Sequence, residues 1–211
     1  MSLNLLDCQK SFHTVGGKTV TYEEMVKNLF KPMDGVGARM MHAAIGIAGE
    51  SGELRTASGR AHVLEECGDL EFYIEAGWQE LSAAGRMKMQ GGLWPSGNAP
   101  TLGNVIDDIH VYGSALLDTA KKVWVYGGAK GDRDSRLAAL LSGLELLMLA
   151  LYSYTGTTRI EVMKLNMAKL LGTNETQGRY ATGQYSDEQA LARADKAEPA
   201  SDRKFMSDAS K

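Results

Sequence analysis

The chain has 211 residues, 44% of them hydrophobic, and a formal net charge of −3 from 23 basic and 26 acidic residues. This length favours one well-buried domain, and the balanced charge lacks the basic footprint of a nucleic-acid-binding protein. No run of 18 apolar residues indicates a membrane span, so we expect a soluble, cytoplasmic protein with neither nucleic-acid nor membrane partners.

Helices dominate the predicted elements, and the predicted fold class is all-α. The chain contains only four prolines, and its middle is rich in helix-forming residues. Thr21 and Glu24 have the spacing of a capping box, which predicts a first helix over residues 21–30. Apolar residues at helical spacing predict two longer helices at about 36–58 and 61–88.

The second half of the chain continues the helical pattern after a break. Residues 90–103 are rich in glycine and proline, which predicts a loop between two helical halves. Three further helices are predicted at about 103–124, 133–154 and 157–171, and a short one is predicted to begin near Ser186.

The domain prediction follows from this pattern. Residues 1–196 are assigned to a single domain, because helical periodicity recurs along most of that range. Residues 197–211 are polar and charged without periodicity, which predicts a mobile tail.

Two pairs of acidic residues interrupt the apolar stripes of the second and third helices. Glu50 and Glu53 are three residues apart, as are Glu66 and Asp69, so each pair lies on one face of its helix. A short turn at Gly59 would make the two helices antiparallel neighbours. Because both pairs lie about equally far from this turn, we expect the four side chains to face one another.

Four carboxylates gathered in an apolar setting need a positive partner. Ligands that are all oxygen suit Mg²⁺ or Mn²⁺, so residues 36–90 are predicted to be a metal-binding helix pair. Gly49, Gly52 and Gly68 would leave space beside the acids for metal, water and phosphate. The alternative is a solvated helix face in a purely structural bundle, which is the usual setting of a single acidic pair. Two neighbouring acids are predicted to be solvated: Glu65 and Glu71.

The segments GESGEL and EECGD resemble the ExxE and ExxD signature of the MazG-like all-α nucleoside triphosphate pyrophosphohydrolases, a superfamily that includes dimeric dUTPases and dCTPases. Residues 166–196 resemble the C-terminal segment of phage members, in which an Asn-x-x-Lys helix is followed by an Arg-Tyr pair. The segment GTNETQ before Gly178 departs from the commonest spacing. The matching positions are Asn166, Lys169, Arg179 and Tyr180.

The resemblance implies a MazG-like helical bundle that hydrolyses a (deoxy)nucleoside triphosphate to the monophosphate and pyrophosphate with Mg²⁺. It also implies phage-type control of a nucleotide pool, with dGTP among the candidate substrates, a homodimer, and the host cytoplasm as the location if a phage encodes the chain. A dUTPase-like or dCTPase-like specificity and a non-catalytic nucleotide-binding helical protein are the open alternatives.

The resemblance also implies roles for particular residues. The metal-binding and catalytic residues would be Glu50, Glu53, Glu66 and Asp69. The substrate-binding residues would be Asn166, Lys169, Arg179 and Tyr180. Within this second set, Lys169 and Arg179 would offset charge on the leaving pyrophosphate.

A long interval separates the acidic helix pair from the Asn-x-x-Lys helix, whereas family members usually run straight from one to the other. Residues 113–156 resemble a second helix pair that has lost its acids. We interpret residues 103–171 as this degenerate pair plus the Asn-x-x-Lys helix, with a generic helical insertion as the alternative. A fused duplication would place within one chain the four-helix core that two chains normally form. The former acidic positions are Tyr112, Ala115, Leu140 and Gly143.

Overall fold

Helices make up most of the structure, a computed structural model that describes residues 12–15, 18–35, 37–81, 101–126, 130–173, 175–180 and 182–192. The described residues form one antiparallel hairpin and seven helices, which confirms the all-α prediction. The elements are β1 Phe12–Val15, β2 Lys18–Thr21, α1 Tyr22–Leu29, α2 Ala38–Thr56, α3 Gly59–Glu80, α4 Leu102–Tyr126, α5 Lys130–Thr155, α6 Arg159–Leu171 and α7 Asp187–Ala192.

The helix bounds lie close to the predicted ones, with a few differences. The third helix ends at Glu80, short of the predicted 88, and the hairpin was not predicted. Residues 90–100 of the predicted loop at 90–103 lie outside the described residues, and the last residues of that range already belong to α4, which begins at Leu102. The predicted tail at 197–211 also lies outside the described residues.

Local capping determines where two helices begin. The Thr21 side chain accepts a hydrogen bond from the Glu24 N–H, and the Glu24 carboxylate accepts one from the Thr21 N–H, so the predicted capping box is confirmed. Thr158 and Glu161 form the same arrangement before α6. Gly59, in the left-handed region with φ 78°, opens α3.

Four helices share one hydrophobic core. α2 packs on α3 and on α4, and α4 packs on α5, so the two helix pairs join within a single chain. Tyr112 and Gly143, which the predicted duplication matches to two of the acids, lie together: the Tyr112 ring fills the space beside Gly143, where a Cβ would lie only 2.2 Å from the ring. That the second pair is a duplicate of the first stays a prediction. The shared core includes Ile47, Leu54, Leu70, Ile74, Ile109, Leu116, Leu141 and Leu144.

The helix α5 contains one strongly apolar segment. Its segment Asp134–Thr155 is long and apolar enough to cross a membrane by length and composition alone, although polar residues interrupt it and no run of 18 apolar residues is present. Leu141, Leu144 and Met148 of this segment are fully buried in the shared core. Packing between helices therefore accounts for much of its apolar character.

A second layer packs on the other side of α3. Helices α1 and α6 both contact α3 and each other, and their apolar residues form a second cluster. α3 is thus the central helix, and its carboxylates are placed between two groups of neighbours. The second cluster includes Met25, Leu29, Phe30, Met163, Met167, Leu170 and Tyr180.

Candidate metal and nucleotide site

Three of the four predicted acids converge. One carboxylate oxygen from each of Glu50, Glu53 and Glu66 lies within 4.8 Å of the others. Glu53 is exposed, Glu50 is half-buried and Glu66 is only 2% exposed. We call these three residues the glutamate cluster. Its formation follows from the antiparallel packing of α2 on α3 that the Gly59 turn permits.

Asp69, the fourth predicted acid, has positive and amide partners of its own. The Asn166 amide nitrogen donates to Asp69 Oδ1 at 3.1 Å, and the Lys169 ammonium lies 2.6 Å from Asp69 Oδ2. The same ammonium donates to Glu65 Oε1 at 3.1 Å. Asp69 is therefore charge-paired beside the glutamate cluster, and helix α6 supplies both partners.

Glu66 is oriented by a histidine that sequence reasoning missed. His62 Nε2 lies 3.1 Å from Glu66 Oε1, and the Ser58 N–H donates to His62 Nδ1 at 3.3 Å. Since Nδ1 accepts, Nε2 carries the proton in the neutral ring and donates to Glu66. The spacing of four residues between His62 and Glu66 is a signal that could have revealed this contact.

The second oxygen of Glu66 is buried without a hydrogen-bond donor. Within the described part of the chain, no N–H or O–H donates to Glu66 Oε2. A buried carboxylate oxygen in this state is unstable unless a proton or a cation is supplied. A proton held between Glu50 and Glu66 is one solution, and a metal ion is the other.

Two members of the glutamate cluster, Glu50 and Glu66, have pKa values above the ordinary value of a glutamate. Burial, with repulsion from Asp69, Glu53 and Glu66, raises the pKa of Glu50 to about 8. Burial also raises the pKa of Glu66 above its ordinary value. These shifts mean that the cluster binds protons more readily than ordinary carboxylates do.

A cavity of about 320 Å³ opens beside the glutamate cluster. Glu50, Glu53 and Asp69 line one part of its wall, and Lys31 and Arg179 add positive charge. The aromatic and imidazole rings that complete the wall belong to Phe30, His42, Phe72, Tyr73, Tyr180 and Tyr185. The cavity thus combines acids, cations and flat apolar faces within one enclosure.

The C-terminal segment returns to this cavity through a closed turn. The Arg179 N–H donates to the Lys169 carbonyl at 3.2 Å, and the Tyr180 N–H donates to the Leu170 carbonyl at 2.7 Å. Gly172, with φ 86°, lies so close to Gly178 that a Cβ on either glycine would lie under 3 Å from backbone atoms of the other. Gly172 and Gly178 therefore meet at the two ends of this stretch, and Arg179 and Tyr180 follow at the cavity wall.

The structure places the predicted substrate residues differently from one another. Arg179 and Tyr180 line the cavity. Asn166 is 2% exposed, and the side chain of Lys169 is 15% exposed, and both contact Asp69. These two residues therefore do not lie on an ordinary solvated helix face.

Open space lies beside two of the three glycines that were predicted to leave room near the acids. A Cβ on Gly49 or Gly52 would meet no atom within 4 Å, so open space lies beside them. A Cβ on Gly68 would lie 3.0 Å from the Asn166 Cβ. Gly68 therefore permits the close approach of α6, and the prediction that it leaves room for metal or phosphate is wrong.

Glu71, predicted to be solvated, is buried with 1% exposure. The Arg159 guanidinium lies 2.8 Å from one Glu71 oxygen and 2.9 Å from Glu145, and the Tyr152 hydroxyl donates to the other Glu71 oxygen at 2.6 Å. The prediction was wrong because the partners come from α5 and α6, far away in sequence. Glu65 is also not simply solvated, since it pairs with Lys169.

Comparisons with known proteins leave the family open. No protein-family model, curated protein or solved structure matches the chain. The MazG-like signature therefore remains a resemblance. A function has to be inferred from the geometry of the chain's own residues.

Proposed function

We propose that this protein is a Mg²⁺-dependent nucleoside triphosphate pyrophosphohydrolase that releases a nucleoside monophosphate and pyrophosphate. The observation that carries the proposal is the glutamate cluster: three carboxylates from two helices within 4.8 Å, with Glu66 Oε2 buried and lacking a donor among the described residues. Such an arrangement is stable only with added positive charge.

The donor set supports a hard cation. Glu50, Glu53 and Glu66 offer oxygen ligands only, which suit Mg²⁺ and, as the alternative, Mn²⁺. When bound, the cation would neutralise the triphosphate and lower the pKa of a water molecule. The Glu50 carboxyl, whose pKa is raised to about 8, has to give up its proton for full coordination.

The cavity supports a nucleotide as the ligand. Its volume of about 320 Å³ lies within the range of small-molecule sites. Tyr73 and Tyr180 are among the rings on which a base would stack, and the Arg179 guanidinium suits phosphate oxygens. Acids for the cation and rings for the base thus line the same cavity, as a nucleoside triphosphate requires.

Helix α6 supports the handling of charge on the leaving pyrophosphate. Lys169 is held at the edge of the glutamate cluster by Asp69 and Glu65. Burial alone would lower the pKa of Lys169, but pairing with these carboxylates raises it, so the ammonium stays charged. With Arg179, it would stabilise negative charge that develops on the leaving group.

The role that we propose for the reaction is control of a nucleotide pool in the cytoplasm, of the type found in phages. dGTP is among the candidate substrates, and dUTPase-like or dCTPase-like specificity is the alternative, because base selection depends on polar groups matched to one base edge. We also propose a homodimer as the assembly, which analytical ultracentrifugation tests directly.

The deciding experiment is a nucleotide panel. Purified protein is incubated with each dNTP and NTP, with Mg²⁺ or with a chelator, and the products are separated as pyrophosphate, phosphate and monophosphate. We expect pyrophosphate from at least one nucleotide with Mg²⁺, and none from the Glu53→Gln variant. Nucleotide binding without any product would favour the non-catalytic nucleotide-binding protein, and phosphate in place of pyrophosphate would contradict the proposed bond cleavage.

A further inference from the structure

Tyr22, the first residue of α1, reaches the site from outside the acidic motifs. Its side chain is 1% exposed. Its hydroxyl donates to Asn166 Oδ1 at 3.0 Å and lies 3.5 Å from the Gly68 carbonyl oxygen. The hydroxyl therefore joins α1 to both helices that carry the Asp69 contacts.

The Asn166 side chain has a defined orientation in this arrangement. Its oxygen accepts from Tyr22, and its nitrogen donates to Asp69 Oδ1 at 3.1 Å. The two ends of a carboxamide differ only in donor and acceptor character. If the amide were reversed, its oxygen would face the Asp69 carboxylate, and two acceptors would be in contact.

Tyr22 is able to donate throughout the working pH range. Burial, together with the negative charges of Glu71 and Asp69, raises the pKa of Tyr22 well above its ordinary value. The phenol therefore keeps its proton. Gly68 removes the steric obstacle to this contact, since a Cβ there would lie 3.2 Å from the Asn166 amide nitrogen.

We propose that Tyr22 is a positioning residue: its hydroxyl holds the Asn166 amide in the orientation that engages Asp69, and so keeps Asp69 aligned beside the glutamate cluster. The effect on turnover rests on the proposed function, whereas the effect on Asn166 does not. The capping box of Thr21 and Glu24 contributes, because it determines where α1 begins and hence where Tyr22 lies.

The test compares Tyr22→Phe with a matched control, Tyr152→Phe. Both tyrosines are buried, and each hydroxyl donates to one side chain, but Tyr152 contacts Glu71 in the ion-pair network behind the site. We expect Tyr22→Phe to lower kcat about 10-fold, as loss of a supporting hydrogen bond beside a metal site typically does. We expect Tyr152→Phe to change thermal stability and leave kcat close to wild type.

A double variant, in which the two losses of kcat should not add, provides the second test. Because Tyr22 acts through Asn166, adding Tyr22→Phe to Asn166→Ala should lower kcat no further than Asn166→Ala alone. Losses that multiply in the double variant would overturn the proposal. So would a Tyr22→Phe enzyme with the kcat of the wild type.

The third test is a hydrogen-exchange measurement that does not depend on enzymatic activity. In ¹⁵N-labelled protein the Asn166 side-chain NH₂ signals are identified by their loss in Asn166→Ala. Hydrogen exchange of these protons with water should be faster in Tyr22→Phe and unchanged in Tyr152→Phe. Unchanged exchange in Tyr22→Phe would overturn the positioning role. If the wild type hydrolyses no nucleotide, the proposed function fails, and the hydrogen-exchange measurement still decides the role of Tyr22.

Discussion

Two acidic groups on α3 lie little more than one helical turn apart, and they differ in how their charge is balanced. Glu66 joins Glu50 and Glu53 with one oxygen lacking a donor, and among the described residues no lysine or arginine pairs with the three. Glu71 is equally buried, but Arg159 and the Tyr152 hydroxyl satisfy both of its oxygens.

Burial of an acid does not by itself indicate a ligand-binding site. A buried acid whose two oxygens both have partners has a structural role. Removal of one partner would destabilise the fold, because it would leave an uncompensated buried charge. A buried acid with incomplete partners and like-charged neighbours indicates that a cation or a proton is bound there. The glutamate cluster is of the second kind, and Glu71 is of the first.

Replacing Arg159 with methionine should give the largest effect, and it should fall on stability. The change leaves the Glu71 carboxylate buried without its cation, which is expected to lower the free energy of unfolding by about 3–5 kcal/mol. The melting temperature should fall by about 10 °C or more, as measured by circular dichroism. Glu53→Gln is the control and should not show this fall. A variant that melts with the wild type would contradict the scaffold role.

Replacing Glu66 with glutamine should instead affect turnover. Loss of a ligand to a catalytic cation removes several kcal/mol of transition-state stabilisation, so pyrophosphate release should fall by about 10²–10³-fold. Without cation the melting temperature should not fall, because the change removes one of three crowded charges. Glu23→Gln, an exposed acid on α1, is the matched control. Equal activity of the two variants would refute the metal site.

Cation affinity should rise with pH because Glu50 holds a proton near neutrality. Its pKa is raised to about 8, so Mn²⁺ affinity measured by calorimetry should increase by up to about tenfold per unit from pH 6 to 8 and then level off. Glu50→Gln should remove this dependence along with most of the affinity. A flat profile in the wild type would contradict the shared-proton description of the cluster.

The same raised pKa has a consequence for stability. A folded-state pKa above the ordinary value means that the native protein binds the proton more tightly, so this contribution is complete below about pH 4.5 and is lost as the pH rises through about 8. With chelator, the melting temperature should therefore fall over this window by more in the wild type than in Glu50→Gln. Parallel curves would show that Glu50 does not contribute.

His62→Ala should give the smallest effect. It removes the donor to Glu66 Oε1 but leaves all three ligands, so cation affinity should weaken by about 10-fold at most. His62→Gln keeps an N–H donor and should recover part of the affinity. If both variants bind Mn²⁺ as the wild type does, the contact with Glu66 has no role in metal binding.

Local patterns predicted much of the fold. Helical periodicity and the capping box at Thr21 predicted helix bounds to within a few residues in most cases, because these signals act between residues three or four apart. The paired strands β1 and β2 were missed, since they are short and contribute no long alternating pattern.

Spacing along the chain was enough to predict that Glu50 and Glu53 share a helix face and that Glu66 faces them across a short turn. It could not distinguish Glu66, which joins the cluster, from Asp69, which pairs with Asn166 and Lys169. This difference arises from the packing of α6 on α3, because α6 supplies both partners of Asp69 from about 100 residues away in the chain. Packing between distant helices, and not spacing within one helix, sets which acids gain a positive partner and which are left crowded together.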